Sequence, residues 1–280
     1  MHPHNTIKEI KLISLELREL VIRLAEEQDF GVHLGGGLSL AEILAVLYFG
    51  VAHLDPKNPD WPGRDRIVLS KGHGNIALLA TLALRGYFPL EVFHQFNQLG
   101  SIYSMHADAR VAGVEHSAGS LGHGLSVAVG MALAGRLDRQ SWQVYCLLGD
   151  GESMEGSVWE AMLSAAHYKL NNLTAVIDRN HLTQEGYTER TMALEPLAEK
   201  CRSFGWQTLE VDGHAVQALL EAFQAPRDGR PKMLIASTQK AHGVPAYQGQ
   251  IKSHFAHLTS DQATAALALI QLERQQLREG

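Results

Sequence analysis

Asp150 stands in Gly149-Asp150-Gly151-Glu152, at the end of the apolar run Leu147-Leu148. Asn180 stands in Asp178-Arg179-Asn180-His181-Leu182, at the end of a second apolar run. One carboxylate, one amide oxygen and free backbone carbonyls suit a hard divalent cation, and Mg²⁺ in such sites keeps positions for phosphate oxygens or water. Taken alone, Gly-Asp-Gly is explained as well by a plain strand-to-helix turn, because short motifs match by accident. An asparagine at the end of a neighbouring strand favours the metal reading, since ligands of open parallel sheets sit beyond the carboxyl ends of the strands. The glycines let the chain turn sharply and approach a ligand. A helix after Gly156 would turn its free N–H groups toward the same anion. Histidine is the second set of candidate residues, with fifteen in the chain. His33 lies in Gly31-Val32-His33-Leu34-Gly35, His73 in Ser70-Lys71-Gly72-His73-Gly74, His106 in Ser104-Met105-His106-Ala107, and His254 in Lys252-Ser253-His254-Phe255. A single histidine is usually structural. Several in glycine-rich loops are better placed for substrate contact, and imidazole can donate to sugar hydroxyls and titrate near neutrality.

These residues need a scaffold of alternating strands and helices. Ile7, Ile10, Ile13, Leu17, Leu20, Val21 and Leu24 recur at helical spacing, which predicts an amphipathic first helix of about 20 residues. Ser39 and Glu42 form a capping-box pattern ahead of a second helix. Pro56, Pro59 and Pro62 mark a loop before a short strand at Arg66-Ile67-Val68-Leu69, and a helix follows from Asn75 to Arg85. Residues 122–136 are small and apolar nearly all round, which predicts a buried helix. A strand over 143–148, a helix over 158–168 and a strand over 173–177 make one βαβ unit. A strand over 207–211, a helix over 215–223 and a strand over 233–237 extend the alternation, and a capped terminal helix covers 260–278. The pattern is that of an α/β fold, a parallel sheet covered by helices on both faces. No repeat or linker divides residues 1–280, so one domain is expected.

Composition narrows the classes of function. The net charge of −6 and the lack of a basic run argue against nucleic acid, and no apolar stretch is long enough to span a membrane. Met1-His2-Pro3-His4-Asn5 lacks a signal-peptide pattern, and Cys146 and Cys201 read as buried reduced thiols, so a cytoplasmic location is expected. Gly122-His123-Gly124 has Val127 where a dinucleotide fingerprint needs its third glycine, and no convincing strand precedes it.

Ser70-Lys71-Gly72-His73-Gly74, Gly119-Ser120-Leu121-Gly122-His123-Gly124-Leu125-Ser126 and Gly149-Asp150-Gly151-Glu152-Ser153-Met154-Glu155-Gly156 occur in that order. Together they resemble the N-terminal half of a transketolase, the part that holds the diphosphate of thiamine diphosphate. The resemblance runs from about Glu16 to Leu258. It implies that Asp150 and Asn180 ligate Mg²⁺ or Ca²⁺ through their side chains and Leu182 through its carbonyl. It puts Gly149 and Gly151 against the diphosphate, and Leu121 and Gly122 along the thiazolium and aminopyrimidine. His33, His73 and His106 would line the cofactor and donor channel. His254 aligns with a further active-site histidine, with His257 as the alternative. Glu155 resembles the glutamate of a carboxylate network across the dimer interface. The implied chemistry is passage of a two-carbon glycolaldehyde unit from a ketose to an aldose, with thiamine as the electron sink.

Three departures touch the substrate loops and the metal turn. Val32-His33-Leu34 and Met105-His106-Ala107 replace the family's Gly-His-Pro, and His181 replaces a glycine. Backbone ligation beside His181 then calls for a negative φ at that residue. The chain ends at Gly280, before the pyrimidine-binding and C-terminal domains of a full transketolase. A naturally split subunit is therefore expected, paired with a chain that carries those domains in an α₂β₂ assembly; a truncated piece of a longer chain would look the same. The rival readings are the α subunit of a 2-oxo acid dehydrogenase, which does not predict Ser70-Lys71-Gly72-His73 or the loop histidines, and a deoxyxylulose phosphate synthase. A non-catalytic partner that keeps only the fold is a third, and it has no reason to retain Asp150, Asn180 and Glu155.

Overall fold

Strands Arg66–Leu69 (β1), Val144–Gly149 (β2), Leu173–Arg179 (β3), Gln207–Asp212 (β4) and Lys232–Ser237 (β5) form one sheet in the computed structural model, which describes residues 5–279. Every pairing is parallel, in the order β1-β2-β3-β5-β4. Side chains alternate between faces with period two, and both faces are covered. Tyr145 and Leu147 of β2 join one apolar cluster, whereas Val144, Cys146 and Leu148 join the other.

The first cluster is closed by Ile7–Glu27 (α1), Leu34–Leu38 (α2), Ala41–Val46 (α3), Asn75–Arg85 (α4), Val216–Gln224 (α9) and Ser260–Glu279 (α10). The second is closed by Gly124–Leu137 (α5), Gly156–His167 (α6) and Leu197–Ser203 (α8), with the short Thr188–Thr191 (α7) beside the site. Thr6 and Glu9 build a reciprocal capping box that starts α1. The buried Lys232 ammonium donates to the carbonyls of Phe223 and Ala225 at 3.1 and 2.6 Å, occupying acceptors that the end of α9 leaves free. Cys146 and Cys201 are buried and unpaired, and burial pushes the Cys201 thiol up to about 12. Among the described residues no helix is long and apolar enough to cross a membrane; Met1 to His4 lie outside them.

The layered α/β fold expected from the sequence is the one observed, with most element ends displaced by one or two residues. Three local expectations are corrected. Ser39 and Glu42 do not cap a helix: α3 begins after Leu40 without a side-chain cap, and Ser39 Oγ donates to Asp178 Oδ2 at 2.5 Å while Glu42 pairs with Arg18 and His214. Residues 35–37 are not in a loop but inside α2. A Cβ on Gly36 would sit 2.5 Å from the His73 ring, so these glycines serve close packing. Helix α5 is not buried all round, since Ser126, Gly130, Ala134 and Leu137 are exposed. The sheet and α6 need only one side of it.

Candidate active site

Register builds the first corner of the site. Gly149 pairs with Asp178 across β2 and β3, so Asp150 and Asn180 emerge side by side past the carboxyl ends of adjacent strands. Asp150 Oδ1 accepts the Gly151 N–H at 2.7 Å, and Oδ2 accepts the His181 N–H at 2.6 Å and Arg179 Nη1 at 3.2 Å. Oδ1 therefore keeps a lone pair free toward the cavity. Burial, and then the neighbouring Asp178 carboxylate, raise the Asp150 pKa against the pull of Arg179 and the two N–H groups. A cation at Oδ1 would offset that cost. His181 adopts φ +66°, not the negative φ expected of it. Its N–H is held by Asp150, and its carbonyl accepts the Thr188 N–H at 3.0 Å. These two bonds hold a conformation that a side chain disfavours, and Leu182 still reaches the cavity wall.

Beneath this corner lies a buried ion pair. The Lys71 ammonium contacts Asp178, whose carboxylate also accepts from Ser39 and Thr238. Burial alone would raise the Asp178 pKa, but Lys71 and the two hydroxyls outweigh it and hold it below the ordinary value. Glu152 accepts from Ser70 and from the N–H groups of Gly122 and Gly149, which ties all three glycine-containing motifs to one carboxylate.

A cavity of about 420 Å³ opens over these residues. His33, His73, His106 and His254 form one wall, with the His33 ring centroid 6.0, 5.4 and 5.5 Å from the other three in that order. Burial, followed by His106 and Lys240, lowers His33 to about 4. Burial, followed by Lys240, does the same to His254. His73 too is held well below the ordinary value, by burial first and the Lys71 charge next. His33, His73 and His254 are therefore neutral near pH 7, each with one donor and one acceptor nitrogen. His33 Nδ1 is buried without any protein partner, as an atom that awaits a ligand would be. The free lone pair on Asp150 and the orphaned His33 nitrogen both fit a bound cation and an organic ligand in this cavity.

Of the residues singled out in the sequence, the fold brings His33, His73, His106, Leu121, Gly149, Asp150, Gly151, Glu155, Asn180, Leu182 and His254 to one cavity. Gly122 is not on its wall: with φ +82°, it turns its N–H to Glu152. His257 is turned away toward the Gln28 carbonyl at 3.0 Å, which leaves His254 as the histidine that faces the cavity. A 3-10 turn, Glu152–Met154, comes between β2 and α6, and the exposed Glu155 lies at the start of that helix.

Sequence reading missed Lys240, which is 2% exposed and also lines the cavity. Its ammonium donates to the Thr183 carbonyl at 2.8 Å and lies 3.2 Å from His254 Nδ1. Burial, then Lys71, bring it down to about 8. The available signal was its place just past the carboxyl end of β5, at the same edge as Asp150 and Asn180. Arg179, Thr183 and Gln184 were missed as well: Arg179 bonds Asp150, and the other two line the cavity.

Comparison with known proteins agrees with this geometry. The family described as transketolase, thiamine diphosphate binding domain, matches residues 11–274. A 6-deoxy-6-sulfo-D-fructose transketolase subunit of Clostridium sp. (strain MSTE9) is 44% identical over 268 residues, covering 93% of this chain and 98% of that protein. An apulose-4-phosphate transketolase subunit of Phocaeicola vulgatus is 38% identical over 263 residues, covering 93% of each. Among solved structures, the transketolase of Campylobacter jejuni superposes with a TM-score of 0.83 at 29% identity, covering 97% of this chain and 48% of that one. The chain thus spans about half the length of the solved transketolases it matches.

Proposed function

We propose that this chain, which belongs to the transketolase thiamine diphosphate binding domain family, is the diphosphate-holding subunit of a split transketolase that moves a two-carbon unit from an anionic ketose to an aldose. The observation that carries the reading is the convergence of Asp150, Asn180 and Leu182 with His33, His73, His106 and His254 on one cavity. Asp150 Oδ1, Asn180 Oδ1 and the Leu182 carbonyl are the oxygens that would hold Mg²⁺ or Ca²⁺. The Lys240 ammonium adds positive charge where a diphosphate would lie. Bound thiamine diphosphate supplies the electron sink for breaking and remaking a carbon–carbon bond. The neutral histidines donate to and accept from sugar hydroxyls, and His33 Nδ1 has no other use in the fold. Gly149, Gly151 and Leu121 bring backbone and an apolar edge against the cofactor.

A partner chain completes the site. The two relatives named as subunits are matched nearly end to end, and the exposed face of α5, with Glu155 beside it, offers a surface for such a chain. We take that partner to carry the pyrimidine-binding domain in an α₂β₂ assembly. One relative is named for a sulfonated ketose and the other for a phosphorylated sugar, so the donor is an anionic ketose.

The test is to capture the tagged chain with its stoichiometric partner from the host. The complex is then assayed for two-carbon transfer from sulfonated and phosphorylated ketoses. In that complex Asp150→Ala should abolish Mg²⁺-dependent binding of thiamine diphosphate. Unchanged affinity would remove the metal assignment, and the absence of any transfer with every ketose would remove the activity.

A further inference from the structure

A second cluster of ionisable groups lies outside the cavity. Arg18 of α1 donates through Nε to Glu42 Oε1 at 2.8 Å, and its Nη2 contacts the same oxygen. Glu42 Oε2 lies 2.8 Å from His214 Nδ1, and the His214 ring stacks on His242 at 3.7 Å. Glu42, His214 and His242 offer ligand atoms within 4.8 Å of one another. The hydrogen bonds nevertheless argue against a metal there. The Gln239 backbone N–H, which can only donate, points at His214 Nε2 at 2.8 Å. Nε2 is therefore the acceptor, Nδ1 carries the proton, and that proton goes to Glu42. With the Arg18 guanidinium on the same carboxylate, neither His214 nor Glu42 is free to ligate.

The residue after Gln239 is Lys240, whose ammonium reaches the Thr183 and Leu182 carbonyls at 2.8 and 3.3 Å. The backbone of this pair is held at the Gln239 N–H by His214. It is held again at the Lys240 carbonyl, which accepts the Gly249 N–H at 2.8 Å. A continuous run of bonded groups thus joins α1, α3, the turn after β4, and the cavity wall.

We infer that His214, oriented by Glu42, is a positioning residue. It fixes the Gln239–Lys240 backbone and so aims the Lys240 ammonium into the cofactor end of the cavity. This inference rests on the reading that the cavity binds a diphosphate. His214 itself touches nothing in the cavity.

Two substitutions separate the two halves of the ring. His214→Gln puts an amide oxygen near the Nε2 position and keeps an acceptor for the Gln239 N–H. His214→Asn reproduces only the donor to Glu42. Two readouts are taken on the full chain: hydrogen–deuterium exchange over residues 238–249, and calorimetric binding of thiamine diphosphate with Mg²⁺ to the chain assembled with its partner. His214→Asn should speed exchange in that segment and weaken cofactor binding about tenfold, the size of losing one buried hydrogen bond to its partner. His214→Gln should retain most of both. Exchange unchanged by His214→Asn would overturn the inference, as would faster exchange with undiminished binding. Equal loss of melting temperature in the two variants with unequal binding would separate positioning from simple destabilisation. Failure of the wild-type complex to bind thiamine diphosphate would instead refute the cofactor reading, and the exchange comparison would still judge the brace.

Discussion

Replacing Lys71 by methionine tests the buried foundation of the site. Lys71 and Asp178 are 0% and 1% exposed at their side chains, so neither charge has water as an alternative partner. Removing the ammonium leaves a carboxylate held only by the Ser39 and Thr238 hydroxyls. The loss of one partner of a buried pair costs about 3–5 kcal/mol. For a chain of 280 residues that lowers the melting temperature by about 5–9 °C. The deficit should depend on pH in a definite direction. In the wild type Asp178 has a depressed pKa, so its stabilising contribution is present above the unfolded carboxylate value and lost as pH falls through the folded one. Without Lys71, burial dominates and the Asp178 pKa rises above the unfolded value. The variant then regains stability as pH falls and the carboxyl protonates, and the gap to wild type narrows between pH 7 and pH 5. Lys71→Met/Asp178→Asn removes the stranded charge and should recover most of the loss. Urea unfolding of wild type, single and double variants at fixed protein concentration and two pH values measures all of this. A single variant within about 1 kcal/mol of wild type at pH 7, or a double variant no better than the single, would refute the argument.

Three further outcomes are expected. His181 is exposed and held at φ +66°, so His181→Gly should raise stability by about 1 kcal/mol, read as a higher urea midpoint at unchanged slope. Gly122 (φ +82°) and Gly86 (φ +93°) make a matched pair: a Cβ on Gly122 would lie 2.7 Å from Glu155 Cβ, whereas one on Gly86 meets nothing within 4 Å. Gly122→Ala should therefore lose about 1–3 kcal/mol more than Gly86→Ala, and equal losses would mean that space at Gly122 is unimportant. His33 and His254 stand near 4 in the fold and near 6.5 when unfolded, so protonation favours the unfolded chain. Stability should fall as pH drops from about 6.5 toward 4, and ring NMR signals from these two histidines should not titrate between pH 8 and pH 5.5.

The layers were legible in the sequence because burial on both faces writes continuous apolar runs at strand spacing. Asp150 and Asn180 were legible for a related reason: each ends such a run, and ligands gather where parallel strands end. The histidines were legible as types and as motifs. Their meeting within 6.0 Å of the His33 ring was implied only by the family resemblance and not by their spacing, since four separate segments have to converge. The Ser39 and Glu42 spacing was misleading. Local geometry permitted a capping box, but a buried carboxylate and a buried guanidinium elsewhere in the chain had stronger claims on those side chains.

By itself, the sequence determined the parallel α/β class, the place of Asp150 and Asn180 past the ends of β2 and β3, and the family. All three depend on neighbours close along the chain. Tertiary structure decided that β5, and not β4, lies against β3. The alternating, half-exposed Gln207–Asp212 suits an edge and the buried Lys232–Ser237 an inner position, but which inner strand β5 takes rests on contacts distant in the chain. That choice places Lys240 beside Leu182 and His254, puts Gln239 within reach of His214, and completes a cavity whose walls are far apart in sequence.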